Sequence, residues 1–292
     1  MKYNFSSGRE LLEKCNKYNM KISEIMINRE IELSFKTEKE LKKIMLESVE
    51  VMIESSKKGI IGGEKSLSGL IGGEAKLLEK YRKEGNSLSG DSVMKSIISA
   101  MSVLEVNATM GKIVASPTAG SCGIIPGALV TTALEREVSK EKIVEAVFTS
   151  SAVGYLFLKN ATVAGAEGGC QAETGTASAM AAAGLVELFG GSPKAALSAA
   201  SFTIKNILGL VCDPIAGLVE CPCQKRNALL STNALISADM ALAGIETIIP
   251  FDEVVEAMYK VGKMMSPSLK ETAEGGMAST PSAKAISKKI FG

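Results

Sequence analysis

Four segments of this chain are apolar almost all the way round a helix, and they restrict the fold more than any other feature. "SVMKSIISAMSVLEVNATMGKIV" begins at Ser92; "ASAMAAAGLVELF" (177–189), "AALSAASFTIKNILGLV" (195–211) and "ALLSTNALISADMALAGI" (228–245) follow it. A helix without a polar face has to be surrounded by other protein. The many Ala, Ser and Gly side chains in these segments let neighbouring backbones come close. Alternating β-branched runs joined by hairpin turns are nearly absent. The expected fold is therefore all-α, with an Ala- and Gly-rich buried helical core.

Charge divides the chain. Residues 1–90 carry 31 Asp, Glu, Lys and Arg side chains, whereas residues 91–250 carry 23. The chain thus reads as one domain over 1–292, with a charged helical section and Gly-rich loops at 1–90 and a helical core at 91–292. "TEKELKKIMLESVEVMIESS" opens with a capping box, Thr37 to Glu40. Leu41, Ile44, Met45, Val49, Met52 and Ile53 then repeat at helical spacing on one face. "IIGGEK" (60–65) and "LIGGEA" (70–75) mark loops in which the backbone turns or approaches something closely. "GGSP" (190–193) makes Ser192 an N-cap and Pro193 a first helical residue. "IPFDE" (249–253) stops one helix and caps the next.

Composition removes several classes of function. The net charge is +1 and there is no Trp, which argues against a nucleic-acid binder with its basic face and stacking rings. No apolar run is long enough to cross a membrane, and "MKYNFSSGRELLEKC" lacks the apolar centre of a secretory signal. The expected location is the cytoplasm, where thiols stay reduced. The six cysteines then read as metal ligands, catalytic groups or small buried residues rather than disulfides. There is no histidine, so no Ser-His-Asp triad, Cys-His pair or His-ligated zinc comes from this chain. Acid–base chemistry falls to Lys, Glu, Asp, Tyr, Cys, Ser or a metal-bound group.

Three segments interrupt the buried helices with residues that do not suit a core. "SPTAGSCGIIPG" (116–127) places Ser116, Thr118, Ser121 and Cys122 among glycines, ahead of an apolar helix from about Ile124 to Leu134 whose first turn Pro126 and Gly127 make irregular. Hydroxyls and N–H groups at a helix N-terminus suit an anion. "AGAEGGCQAETG" (164–175) sets Cys170 at the start of a helix, between Glu167 and Glu173, where a thiol becomes a better ligand or nucleophile. "CDPIAGLVECPC" (212–223) holds three cysteines. Asp213 and Pro214 read as the cap and first residue of a short helix, with Cys212 before it and Cys223 after it. Cys221 and Cys223 flank Pro222, and an extended X-Pro-X also sends alternate residues to one side. Spacing does not choose between Cys221 and Cys223. With Cys170, these thiols have the chemistry of an iron–sulfur or zinc site.

"SPTAGSCGIIPGAL", "AEGGCQAETGTASAMAAA", "LGLVCDPIAGLVECPCQKRNA" and "SLKETAEGGMASTP" resemble the iron–sulfur L-serine dehydratases of bacteria, in the α subunit of the two-chain form. The resemblance runs nearly end to end and includes "KISEIMINREIELS", "SGLIGGEAKLL" and "AGIETIIPFDEVVEAM". It implies a single catalytic domain that converts L-serine to pyruvate and ammonia without pyridoxal phosphate. It implies a 4Fe–4S cluster held by Cys170, Cys212 and Cys223 with one iron left open. Cys221 departs from the family's pattern, in which that position is commonly apolar. The "SPTAGS" loop, through Ser116, Thr118, Gly120 and Ser121, is implied to bind the substrate carboxylate. Lys65, Ser68, Ser121 and Lys225 are candidates for the base that removes the α-proton. A smaller β subunit, able to supply groups such as histidine, is the implied partner. A related L-cysteine desulfidase, and a non-catalytic metal-stabilised helical subunit, are the alternative readings.

Overall fold

The computed structural model describes residues 1–292 and contains thirteen α-helices and no β-strand. The charged section supplies α1 (Gly8–Tyr18), α2 (Ile22–Ser34), α3 (Glu38–Gly62) and, beyond the Gly-rich loops, α4 (Glu74–Lys83). Next come α5 (Asp91–Ala108), a π-turn over Pro126–Val130, α6 (Thr131–Glu135), α7 (Lys140–Asn160) and the short α8 (Gly165–Gly168). The chain finishes with α9 (Cys170–Leu188), α10 (Pro193–Asn206), α11 (Cys223–Leu242), α12 (Phe251–Met264) and α13 (Pro281–Phe291). The irregular turn expected at Pro126 and Gly127 is this π-turn, which widens the helix where proline has no N–H to donate.

The Ala-rich α9 lies at the centre, packed against α7, α10 and α11. All of it is buried except Glu173 and Leu188, as a helix without a polar face requires. Small residues set the spacing: a Cβ on Gly184 would lie 2.6 Å from Ser150 Oγ and 2.9 Å from the Ala146 carbonyl oxygen on α7. The main apolar cluster runs from Phe5 to Met258, so the charged section shares a core with the buried helices. Full burial of side chains such as Phe157, Leu104 or Ile124 contributes about 1.5–3 kcal/mol each.

Local signals place most helix ends. Ser192 caps α10 by accepting from the Ala195 N–H, with Pro193 at the first helical position. The Thr37 hydroxyl accepts from Glu40 N (3.3 Å), and Glu40 accepts from Thr37 N (2.8 Å). Thr37→Ala is expected to cost about 1 kcal/mol, read as a lower urea midpoint at unchanged slope. The stripe on α3 holds at Val49 and Met52, but Ile44 is half exposed. The "IPFDE" reading needs correction. Asp252 does not cap its own helix; it accepts from Gly8 N (2.6 Å) and Arg9 N (3.0 Å), so the last third of the chain caps α1. The apolar stretch 195–211 is also not one helix, since α10 ends at Asn206.

Candidate active site

The three interrupting segments meet at the ends of α9 and α11. Cys170 opens α9 behind Gly169, whose φ of 76° lets the chain turn sharply into the helix. Cys223 opens α11. Cys212 lies in extended chain, where its N–H donates to Leu269 O (2.9 Å) and its carbonyl accepts from Glu271 N (2.7 Å). The expected short helix between Cys212 and Cys223 is only a 3-10 turn over Ile215–Gly217, with Pro214 extended. Asp213 does not cap that turn, because its carboxylate is engaged elsewhere: Oδ1 lies 2.7 Å from Arg226 Nη2 and Oδ2 accepts from Met277 N at 2.7 Å. Pro222 has φ −87° and ψ 6°, so the extended X-Pro-X arrangement is not adopted. Cys223 is buried and Cys221 is partly exposed.

Cys170, Cys212 and Cys223 lie within electrostatic reach of one another. Burial raises all three thiols above the ordinary cysteine range, and the neighbouring thiols raise Cys212 and Cys223 further. Arg226 acts in the opposite sense on Cys170 and Cys223. No three cysteine, aspartate or glutamate side chains close on a common point as a mononuclear metal site requires. A cluster takes one thiolate per iron at separate corners, so its ligands need not converge in that way. Three buried thiols on three segments, next to one guanidinium, fit such a group in donor chemistry. The other thiols differ. Cys122 sits in a small apolar cluster with Val103, Leu104 and Cys223, and burial pushes it up to about 12. Cys15, in the main core, is likewise pushed up to about 12 by burial.

The "SPTAGS" loop packs against this group. Thr118 Oγ1 donates to Glu173 Oε1 (2.5 Å) and lies 3.0 Å from Ser121 Oγ. Ser121 is fully buried. Gly120 leaves the space that Glu173 Oε1 occupies, and Gly165 leaves the space shared by Cys212 Sγ, Glu173 Oε2 and Glu271 Oε2. Burial raises Glu173 above the usual carboxylate range, and the Glu271 carboxylate adds to this. Ser116 Oγ is buried with no hydrogen-bond partner, a costly state for a hydroxyl that no ligand meets. Asn227, on α11, fixes the loop to the cysteine helix: Nδ2 donates to Gly120 O (2.7 Å) and Oδ1 accepts from Gly123 N (3.0 Å).

Of the candidate bases, Ser121 lies buried in the "SPTAGS" loop, and the other three fall on the Gly-rich side. Lys65 is exposed. Lys225 is exposed and donates to Gln224 Oε1 (2.6 Å), with Glu74 Oε1 at 3.4 Å. Neither ammonium is buried. The Ser68 hydroxyl donates to Glu220 Oε2 (2.6 Å), as does Ser66 (2.5 Å). Glu220 is buried and ties the Gly-rich loop to the residues just ahead of Cys223. Glu105 makes a second tie, accepting from Gly73 N (3.1 Å), Ala75 N (2.9 Å) and Gln224 Nε2 (2.8 Å).

A family model described as "Serine dehydratase alpha chain" matches residues 17–278. The chain belongs to the serine dehydratase alpha-chain family. It is 46% identical to "Probable L-serine dehydratase, alpha chain" of Bacillus subtilis over 99% of its own length and 96% of that protein's. It is 47% identical to "L-serine dehydratase, alpha chain" of Peptoniphilus asaccharolyticus over 98% of each. It is 36% identical to "L-serine dehydratase TdcG" of Escherichia coli, over 94% of its length but only 62% of that longer chain. The contacts of Asp213, Glu220, Arg226 and Glu271 were not legible in the sequence as functional ones. Arg226 had a local signal, since three residues past Cys223 puts it on the same helix face. Glu220 had none, because its serine partners lie 152 and 154 residues away.

Proposed function

We propose that this chain is the α subunit of an iron–sulfur L-serine dehydratase, an ammonia-lyase that converts L-serine to pyruvate and ammonia. The observation that carries the reading is the meeting of Cys170, Cys212 and Cys223, all buried, at the heads of α9 and α11 and on the strand-like segment between them. Family membership and the names of the relatives support the substrate. In this reading the three thiolates hold a 4Fe–4S cluster. When bound, the cluster supplies an open, Lewis-acidic iron for the departing β-hydroxyl.

The chain's own residues do the remaining work. L-Serine loses its α-proton and β-hydroxide as water, leaving 2-aminoacrylate, which tautomerises to the imine and takes up water to give pyruvate and ammonia. Ser116 Oγ, buried and unpartnered, is the free donor for the substrate carboxylate, beside the backbone of Gly120 and Ser121. Thr118 and Ser121 hold the loop in shape rather than facing outward, because their hydroxyls already interact with Glu173 and with each other. Among the candidate bases, Ser68 has a proton acceptor in place, the buried Glu220.

The relatives' alpha-chain names and the longer Escherichia coli protein support a β-subunit partner. Because this chain has no histidine, any imidazole at the site comes from that partner. The test is turnover by the anaerobically prepared pair of subunits. Pyruvate release from L-serine, in preference to hydrogen sulfide release from L-cysteine, is the expected result; serine left untouched overturns the reading. Ser116→Ala is expected to raise KM for serine about 10- to 150-fold, the effect of losing one hydrogen bond to a charged group of about 1.5–3 kcal/mol, with kcat changed less.

A further inference from the structure

We infer that Arg226 is a positioning residue for the cluster, bracing the Cys212 and Cys223 arms against each other and placing a buried cation beside the site. The inference rests on the cluster reading above. Arg226 lies on α11 one helical turn after Cys223. Its guanidinium reaches across to the other arm at two points, on either side of Cys212. Nη1 donates to the Val211 carbonyl at 2.9 Å, and Nη2 lies 2.7 Å from Asp213 Oδ1. The first is a hydrogen bond and the second an ion-pair contact, and a planar guanidinium presents two nitrogens to both at once.

Asp213 carries the brace further, since its Oδ2 accepts from Met277 N at 2.7 Å. Cys212 is bonded to the same C-terminal segment through Leu269 O and Glu271 N. The "SLKETAEGGM" stretch is therefore strapped onto the Cys212 arm, and Arg226 joins that assembly to the Cys223 helix. The Arg226 and Asp213 side chains are 15% and 3% exposed, so solvent screens the pair little. One carboxylate opposite one guanidinium would be neutral by itself, but three thiolates add negative charge to this pocket when metal is bound. Glu173 and Glu271 are acidic neighbours of Cys212. A buried anionic group needs a matched cation, and the Arg226 guanidinium, held between the Val211 carbonyl and the Asp213 carboxylate, lies between the two arms.

The test compares Arg226→Gln and Arg226→Lys in the complete enzyme, reconstituted anaerobically with iron and sulfide and paired with the β subunit. Three quantities are read: iron and sulfide per chain, the rate at which EDTA strips the iron, and the reduction potential of the cluster. Arg226→Gln is expected to lose iron to EDTA at least about tenfold faster than wild type, within the range for partners that orient metal ligands. Its potential is expected to fall, because the reduced, more negative cluster loses its nearby cation. Arg226→Lys keeps the charge but not the fork, so its potential is expected to stay near wild type while its iron is lost at an intermediate rate. A purely structural role for Arg226 does not predict that split. Wild-type loading, stripping rate and potential in Arg226→Gln overturn the inference alone. Failure of the wild-type enzyme to take up iron and sulfide overturns the cluster reading, and this inference with it. If Arg226→Gln does not fold, Arg226→Lys decides: a stripping rate equal to wild type overturns the brace, and an increased one supports it.

Discussion

Alanine at Cys170, Cys212 or Cys223 is expected to leave a folded chain with iron at background and no serine turnover, whereas Cys221→Ala keeps both. The four cysteines look alike in sequence but occupy different environments. Cys170 and Cys223 start helices and are buried with Cys212, whereas Cys221 is partly exposed just ahead of α11. A cluster bound through three thiolates has no spare protein ligand, so loss of any one removes the site. Cys221→Ala removes no such group and is expected to change stability by no more than about 0.5 kcal/mol. Iron content and pyruvate formation, measured on the four variants under argon, check this. Loss of iron in Cys221→Ala, or its retention in Cys212→Ala, contradicts the ligand set.

Glu187→Ala is expected to have the largest effect on stability away from the site. Glu187 lies near the end of α9, where its carboxylate accepts from Ile22 N (2.8 Å), Ser23 N (3.2 Å) and the Thr149 hydroxyl (2.6 Å). One buried side chain thereby caps α2 and joins it to α7 and α9. Truncation leaves three buried donors without an acceptor. The expected cost is about 3 kcal/mol or more, equal to a fall in Tm of roughly 6–12 °C for a chain of this size. Glu187→Gln keeps one acceptor oxygen and is expected to lose about half as much. A fall of less than about 2 °C in Glu187→Ala contradicts this role.

Features governed by neighbouring residues were legible in the sequence. The capping box at Thr37, the Ser192–Pro193 start of α10, the disturbed turn at Pro126 and the position of Cys170 at the head of α9 all appear where their local chemistry puts them. The all-α class followed from helices that have no polar face to show to water. What the sequence did not show is the long-range wiring. Asp213 has the local look of a cap, yet its two carboxylate oxygens face the Arg226 guanidinium and the Met277 N–H. Asp252 likewise turns away from its own helix to cap α1 across 244 residues. A short polar side chain satisfies whichever donor is nearest in space, and in the buried interior that donor comes from another segment. The candidate site follows the same division: its thiols lie in segments that stand out in the sequence, but the Arg226–Asp213 contact and the Glu220 tie to Ser66 and Ser68 exist only after folding.

The central claim is that Cys170, Cys212 and Cys223 together hold one cluster. Its most direct test is the iron and acid-labile sulfide content of the chain purified and reconstituted without oxygen. The account predicts about four iron and about four sulfide per chain, with a broad absorbance that bleaches in air. Iron without sulfide, or neither, contradicts it.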